Sequence, residues 1–272
     1  MGNRPYRIGN PGREDARVKE KKDAEQGARN ALSLIYLAGS DLDELVVEFP
    51  EVPQYRRELA SVCENLGEIK VNEALKMLRK LPEIAPGEQE LRLRKVFQAL
   101  DNSRSDFKQV IRMIDGITGS ASRLRDDDLN RASASFDMHR AEAWTHLLRE
   151  IDRGLRQVNL SHELALIDSD LKSLEKAIEP TEGGDPERTP HGEQPRIAWH
   201  HRKLASKHYS LYRFLYDNIA NDRIPPEDRN SWIEKARRAL EVAIRHSNLA
   251  GDHQSEQRYK QELSRLGYHV AG

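Results

Sequence analysis

The sequence predicts an all-α protein built from stacked antiparallel helical hairpins, solenoid-like or bundled, with no sheet. Apolar residues recur at steps of three and four over most of the chain, as they do on one face of a helix. No segment alternates apolar and polar residues with β-branched enrichment, and the run at 46–49 is too short to predict a strand. Charged residues make up 33% of the chain and hydrophobic residues 37%, a balance that favours thin, paired helices over a thick core.

Composition divides the 272 residues into four segments. Residues 1–26 begin with Gly, Pro and Arg and continue as a dense charged run, which predicts a disordered or frayed tail. Residues 27–178 form a predicted N-terminal helical domain. Residues 179–195 hold four prolines, three glycines and five acids against a single arginine, so they predict a linker. Residues 196–272 predict a C-terminal part of three helices.

Glycine and proline mark the predicted helix ends in the N-terminal domain. The helix at 28–48 is expected to break at Gly39-Ser40, and the helix from Pro53 is expected to stop near Gly67. Asp126 to Asp128 open a later helix. Adjacent side chains on a helix point about 100° apart and cannot converge on one ion, so these acids are predicted to offset the helix dipole. The predicted helices here are 28–48, 53–67, 71–81, 88–100, 105–114, 130–157 and 160–178.

The clearest helical signal lies in residues 160–178. Its apolar residues follow steps of four and three without a miss, which predicts a narrow seam against one partner helix. Because only a tight break near Asn159 separates them, helices 130–157 and 160–178 are expected to fold back as an antiparallel hairpin. Beyond the linker, the predicted helices are 196–220, 226–248 and 253–266, which gives nine or ten helices in all.

Two windows of the sequence resemble tetratricopeptide repeats. Residues 52–60 followed by Asn65-Leu66-Gly67 resemble the tetratricopeptide-like extensions of some bacterial serine/threonine kinases. The spacing between Gly67 and Ala74 is about five residues shorter than the family has, and Leu81 replaces the usual alanine. The resemblance implies a helical-hairpin stack with a partner-binding surface and transfers no catalytic residue. The other matching positions are Ala74, Leu78 and Pro86 in the first window, and Ala236, Leu240, Ala243, Gly251-Asp252 and Leu266-Gly267 in the second.

Several functional classes are disfavoured by composition. The formal charge of −1 provides no global attraction to nucleic acid or to an anionic membrane. The longest apolar runs are far shorter than the roughly 20 residues that cross a bilayer, and the N-terminus lacks the apolar stretch of a signal peptide. Cys63 is the single cysteine, which excludes an internal disulfide and a cysteine-rich zinc site. We therefore expect a soluble cytoplasmic protein.

No set of residues in the sequence predicts catalysis, so the protein is predicted not to be an enzyme and to need no cofactor or metal. His201 and His208 share one stripe of their helix but lie seven residues apart, too far to share one metal without help. They are expected to be core or interface histidines, with a metal or proton-transfer site as the alternative. His139, Glu142 and His146, with Glu150, share another helix face, which leaves a metalloenzyme as a weaker option. Cys63 is expected to be protonated and inert inside its helix.

We expect a non-catalytic scaffold or adaptor that binds a protein partner through helix surfaces. The alternative is a nucleic-acid-binding accessory protein that uses residues 196–238, where ten basic residues outnumber five acids and aromatic residues interleave with them. Helical spacing argues that most of those tyrosines are buried instead. The candidate partner or nucleic-acid contacts are Trp199, Arg202, Lys203, Lys207, Tyr209, Tyr212, Arg213, Tyr216, Arg237 and Arg238.

Overall fold

The protein folds as packed helices, which confirms the all-α class. The structure, a computed structural model, describes residues 11–117, 124–155, 159–178, 194–220 and 223–270, and these ranges contain no strand. Leu81–Glu83 forms a short 3-10 helix between α2 and α3. The α-helices of the described residues are α1 (Pro11–Glu48), α2 (Pro53–Arg79), α3 (Pro86–Asp115), α4 (Leu124–Asp152), α5 (Ser161–Ile178), α6 (Gln194–Ala220), α7 (Pro226–Leu249) and α8 (His253–Val270).

Each helix packs against the next along the chain, most extensively α2 with α3 and α6 with α7. Helix α6 also packs against α5 and α4, and α2 contacts α4. Large buried side chains such as Phe107 on α3, Trp144 on α4 and Tyr212 on α6 belong to one apolar cluster. The helices before and after the predicted linker therefore share a core.

Helix α1 contradicts two of the predictions. It begins at Pro11, so the disordered tail predicted for 1–26 is wrong from residue 11 onward, while residues 1–10 lie outside the described residues. Residues 13–25 are mostly Ala, Glu, Lys and Arg, whose high helix propensity explains a helix without apolar periodicity. The predicted break at Gly39-Ser40 is also wrong. A β-carbon at Gly39 would lie 3.2 Å from Val62 Cγ1, so this glycine allows α1 to approach α2 closely.

Gly67 likewise lies inside a helix. Helix α2 continues to Arg79, so the predicted end near Gly67 and the separate helix at 71–81 are wrong. A β-carbon at Gly67 would lie 2.7 Å from the ring of Phe107, so the glycine leaves room for that buried ring. Helix α3 is also continuous where two helices were expected. The first tetratricopeptide-like window falls largely on one long helix, and the repeat resemblance stays a prediction.

Helices α4 and α5 form the predicted hairpin. After the end of α4, Gly154 adopts a φ of +71°, the left-handed conformation that glycine adopts without steric cost. The side-chain oxygen of Asn159 accepts a hydrogen bond of 3.1 Å from the backbone N–H of Ser161, which caps the start of α5. The predicted seam of α5 is buried at Leu164, Ile167, Leu171 and Leu174.

The three predicted C-terminal helices are present as α6, α7 and α8. Helix α6 begins at Gln194, and residues 179–193 of the predicted linker lie outside the described residues. Gly251, with a φ of +67°, follows the end of α7. Within the described ranges, no helix combines the length and the apolar character that a membrane crossing requires.

Replacing Gly67 by alanine is expected to destabilise the protein. The added methyl group must displace the buried Phe107 ring, and overpacking of this kind costs about 1–3 kcal/mol. Gly87 in α3 is the control, because a β-carbon there meets no atom within 4 Å. Urea unfolding should give a lower free energy of unfolding for Gly67→Ala and an unchanged or higher one for Gly87→Ala. A Gly67→Ala protein as stable as the original chain would contradict the packing role.

Candidate functional site

The tyrosines of α6, predicted as candidate contacts, stabilise helix packing. Tyr212 is fully buried, and its hydroxyl donates a hydrogen bond of 3.1 Å to Glu262 on α8. Burial raises the pKa of Tyr212 above its ordinary value, and the Glu262 carboxylate adds to the rise. The ring of Tyr209 stacks on Tyr259 of α8 with the centroids 4.5 Å apart. Tyr216 is half-buried beside Tyr212. The side chains of Tyr209 and Tyr212 therefore hold α6 against α8.

Two lysines predicted as surface contacts lie in the interior instead. Lys207 Nζ lies 3.1 Å from Glu68 Oε1 and also contacts Asp137, whose side chain is 1% exposed. Lys203 Nζ lies 3.0 Å from Glu64 Oε1. The acids come from α2 and α4 and the lysines from α6, so three helices meet at these five side chains. We call Glu64, Glu68, Asp137, Lys203 and Lys207 the lysine–carboxylate cluster.

Burial and ion pairing act in opposite directions within the lysine–carboxylate cluster. Burial lowers the pKa of Lys203, and its pairing with Glu64 offsets this only in part. Burial also acts to lower the pKa of Lys207, but the carboxylates around it outweigh that effect and raise the pKa. Burial acts to raise the pKa of Glu64, but Lys203 and Lys207 bring it below its ordinary value. The charges of Glu64 and Lys207 therefore depend on their partners.

The carboxylates of this cluster have the spacing of a metal site. One oxygen from each of Glu64, Glu68 and Asp137 lies within 4.8 Å of the others, and no other such group of histidine, cysteine or acidic side chains occurs in the described residues. The ammonium groups of Lys203 and Lys207 pair with these carboxylates and offset two of the three negative charges. We interpret the cluster as an ion network that fixes α6 against α2 and α4.

The acids at the start of α4 form ion pairs in addition to offsetting the helix dipole. Asp126 and Asp127 lie in the first turn of α4. Asp127 Oδ2 lies 2.8 Å from Arg57 Nη2 on α2. Asp126 Oδ1 lies 2.9 Å from Arg196 Nε and 2.7 Å from His200 Nε2, both on α6. The first turn of α4 thus links the same two helices as the lysine–carboxylate cluster.

Three other predicted contacts are arginines that pair with nearby acids. Arg213 Nη2 lies 2.8 Å from Asp217 Oδ1. Arg237 and Arg238 on α7 lie 3.8 and 3.3 Å from the carboxylate of Glu234. Each of these pairs is local to its own helix. The exposed pairs on α7 contribute little to stability, and Glu234 offsets only one of the two arginine charges there.

The remaining predicted contacts, Trp199 and Arg202, are exposed on α6. The Lys203 ammonium lies 5.1 Å from the centroid of the Trp199 ring. Because the two lysines and Tyr212 face the interior, the ten predicted residues do not form one exposed basic surface.

The side chains of the predicted His139, Glu142 and His146 face do not converge on one point. His139 Nδ1 lies 2.7 Å from Asp170 Oδ2, and Glu142 pairs with Arg104 of α3. His146 lies 3.8 and 3.6 Å from carboxylates of α4 and α5. The three side chains therefore have separate partners, and the metalloenzyme alternative lacks the converging ligand set on which it depends.

A cleft of about 390 Å³ lies beside this face, between α3, α4 and α5. Charges of both signs line it, and the Arg104–Glu142 pair neutralises two of them. The cleft therefore lacks the concentration of charge of one sign that would attract an oppositely charged ligand. Its lining residues are Arg104, Glu142, Thr145, His146, Arg149, His162, Glu163 and Leu166.

Helix α1 exposes several large apolar side chains that were not among the predicted contact residues. Leu34 is 66% exposed and Leu37 61%, and Tyr36 and Val47 are also exposed. The inward side of α1 is a different stripe, which ends at the buried Val46. We call Leu34, Tyr36, Leu37 and Val47 the outer α1 surface. The signal for it in the sequence is an excess of apolar residues beyond the stripe that faces α2.

Comparison with known proteins does not place the chain. No protein family model matches it, and no curated protein and no solved structure matches it. The functional assignment therefore depends on the geometry of these surfaces and clusters.

Replacing Asp137 by alanine is expected to lower the free energy of unfolding by about 3 kcal/mol, because it removes the buried partner of Lys207. Combining Asp137→Leu with Lys207→Met should recover part of the loss, since these two buried charges are then both removed, while Arg140, whose side chain is 11% exposed, still loses its carboxylate partner. Glu90→Ala is the control, because Glu90 and Arg94 form a pair in which both side chains are 74% exposed. Urea unfolding measures all three. Equal effects of Asp137→Ala and Glu90→Ala would contradict the structural role of the cluster.

The Cys63 thiol is expected to resist alkylation in the folded protein. It is buried, and burial, followed by the nearby Asp106, raises its pKa to about 11. Because the thiolate is the reactive form, iodoacetamide at pH 8 should react roughly a hundredfold more slowly with the folded chain than with the urea-unfolded chain. Mass spectrometry of the carbamidomethyl product over time gives both rates. Similar rates in the two states would contradict the burial of this thiol.

Proposed function

We propose that the protein is a non-catalytic helical scaffold or adaptor that binds an amphipathic, basic segment of a partner protein on the outer α1 surface. The observation that supports this most directly is the exposure of Leu34 and Leu37 three residues apart on one side of α1. Covering a leucine side chain contributes about 1.5–3 kcal/mol, so a few such residues can anchor a partner helix.

The two terminal helices differ in a way that supports this assignment. Helix α1 packs against α2, and α8 packs against α7, so each lies at one end of the order of packed helices. Terminal elements of stacked helical proteins usually carry a polar outer side, which keeps the protein soluble. The described side chains of α8 follow that rule, with exposed positions such as Gln257, Arg258 and Gln261. Helix α1 departs from it at Leu34 and Leu37.

The charge near the outer α1 surface specifies the chemistry of the partner. Residues 39–53 contain five acids and no lysine or arginine. Asp41, Glu44 and Glu48 continue the side of α1 that begins with Leu34 and Leu37, at steps of three and four, and all three acids are exposed. A partner helix with an apolar stripe followed by lysine or arginine would match this surface in both respects.

The nucleic-acid alternative loses part of its support, because Lys203 and Lys207 are engaged with carboxylates and Tyr212 is buried. Filter binding at two salt concentrations separates the alternatives. A nucleic-acid-binding protein should retain nucleic acid on the filter at low salt and lose it steeply as salt rises, because its phosphate contacts are electrostatic. A protein that binds its partner through the outer α1 surface does not need to retain nucleic acid at either salt concentration.

The proposal is tested with a labelled synthetic peptide that forms a helix with a leucine stripe flanked by lysines. Fluorescence anisotropy of the full chain should detect binding, and Leu37→Glu should weaken it about tenfold or more, because it places a charge in the apolar contact. The matched control is Leu91→Glu on α3, since Leu91 is 58% exposed and Leu37 61%. That variant should bind as the original chain does.

A photo-crosslinking amino acid at position 37 then tests the surface in the native cell, with the same group at position 91 as the reference. A partner protein joined at position 37 but not at 91, and lost when Leu34→Glu is added, would support the proposal. Equal loss of peptide binding in Leu37→Glu and Leu91→Glu would contradict it, as would crosslinks at position 37 to a second copy of this chain alone.

A further inference from the structure

Three histidines lie in a row between α6 and α7. His201 Nδ1 lies 2.9 Å from His246 Nδ1, and their ring centroids are 5.1 Å apart with an interplanar angle of 24°. The third ring, that of His208, lies nearly parallel to the ring of His246. Their centroids are 6.4 Å apart and the interplanar angle is 14°. Helix α6 supplies His201 and His208, whereas His246 comes from α7 and was not among the predicted candidates.

The two closest nitrogens face each other. Because the ring centres are much farther apart than the Nδ1 atoms, the two nitrogens lie between the rings. A neutral imidazole carries one N–H, so the contact requires that one Nδ1 donates a proton and the other accepts it. If both rings carry their proton on Nε2 instead, two lone pairs meet in the gap and need a cation between them.

The surroundings keep these rings uncharged. Burial lowers the pKa of His208 and of His246 to about 4, with smaller contributions from neighbouring charges that include Arg245. Burial also lowers the pKa of His201. Neutral imidazole is the form that binds metals. Position is what favours a metal here, because two imidazole nitrogens lie next to each other between α6 and α7.

We propose that His201 and His246 bind one divalent transition-metal ion, of the Zn²⁺, Ni²⁺ and Cu²⁺ class, through their Nδ1 atoms. Imidazole nitrogens bind such ions at about 2.0–2.1 Å, so two ligands in neighbouring positions lie about 3 Å apart. The 2.9 Å contact is close to this spacing, and both rings turn slightly so that their Nδ1 lone pairs face the ion. The ring that carries its proton on Nδ1 gives that proton to solvent and takes one up on Nε2, so both rings stay neutral with Nε2 protonated. Water completes the coordination, since both side chains are partly exposed.

The neighbouring groups fit the same chemistry. His208 Nε2 is buried and makes no hydrogen bond, although Glu175 Oε1 lies 3.4 Å away. Carboxylates commonly orient histidines that bind a metal, and Glu175 is placed to orient His208, the histidine next to the two proposed ligands. The lysine–carboxylate cluster, by contrast, already holds two ammonium groups, so the histidines are the better candidate for a metal.

The site is tested by titrating the full chain with Ni²⁺ and Zn²⁺ in competition with a chromogenic chelator. The original chain should bind one ion at this site, and His201→Gln and His246→Gln should each weaken that binding about tenfold or more. His253→Gln is the matched control, since the His253 side chain is 80% exposed and lies on α8. It should bind as the original chain does, and circular dichroism checks that each variant is helical.

Imidazole nitrogen NMR of the unaltered chain gives a second readout that does not depend on variants. One equivalent of Zn²⁺ should shift the Nδ1 resonances of His201 and His246 and leave their Nε2 atoms protonated. Shifts confined to other histidines would overturn the proposal, and so would metal binding that both glutamine variants leave unchanged.

Discussion

Two buried ammonium groups constrain how the helices of this protein assemble. A charged side chain that leaves water without a partner costs several kcal/mol, so α6 can pack in the interior only where carboxylates face Lys203 and Lys207. Glu64 and Asp137 supply those carboxylates from α2 and α4. Apolar stripes can slide along one another at modest cost, whereas this cluster is satisfied in one register. We attribute the relative position of α2, α4 and α6 to the cluster as much as to apolar packing.

The fold class and the α4–α5 hairpin could be predicted because both depend on local periodicity. The predicted helix ends were wrong at some glycines, because glycine can either end a helix or allow close packing inside one. Glycine ends helices, but Gly39 and Gly67 instead let a neighbouring helix or ring come close. Which role a glycine has depends on its packing partner, and the partners Val62 and Phe107 are distant in sequence from Gly39 and Gly67. The helix at 11–26 was missed for another reason, since helix propensity without apolar periodicity resembles a charged tail.

The candidate sites were less predictable than the fold, because their partners come from distant parts of the chain. Lys207 and Glu68 are 139 residues apart, so a local count of charge in 196–238 treats that lysine as available for binding. His201 and His246 are 45 residues apart, and spacing within α6 alone argued against a shared metal. The burial of Tyr212 was the exception, since helical spacing within α6 already indicated it.

The position of α1 at one end of the packed helices explains why its outer leucines are exposed within the described part of the chain. A helix in the middle of the order packs against helices on both sides, while a terminal helix keeps one side open. Leu34 and Leu37 stay exposed in the folded chain, so they contribute little to its stability and add a tendency to aggregate. In a chain with 37% hydrophobic residues, two leucines at one helical step lower the free energy mainly when another molecule covers them. This energetic difference favours α1 over α6 as the proposed binding surface.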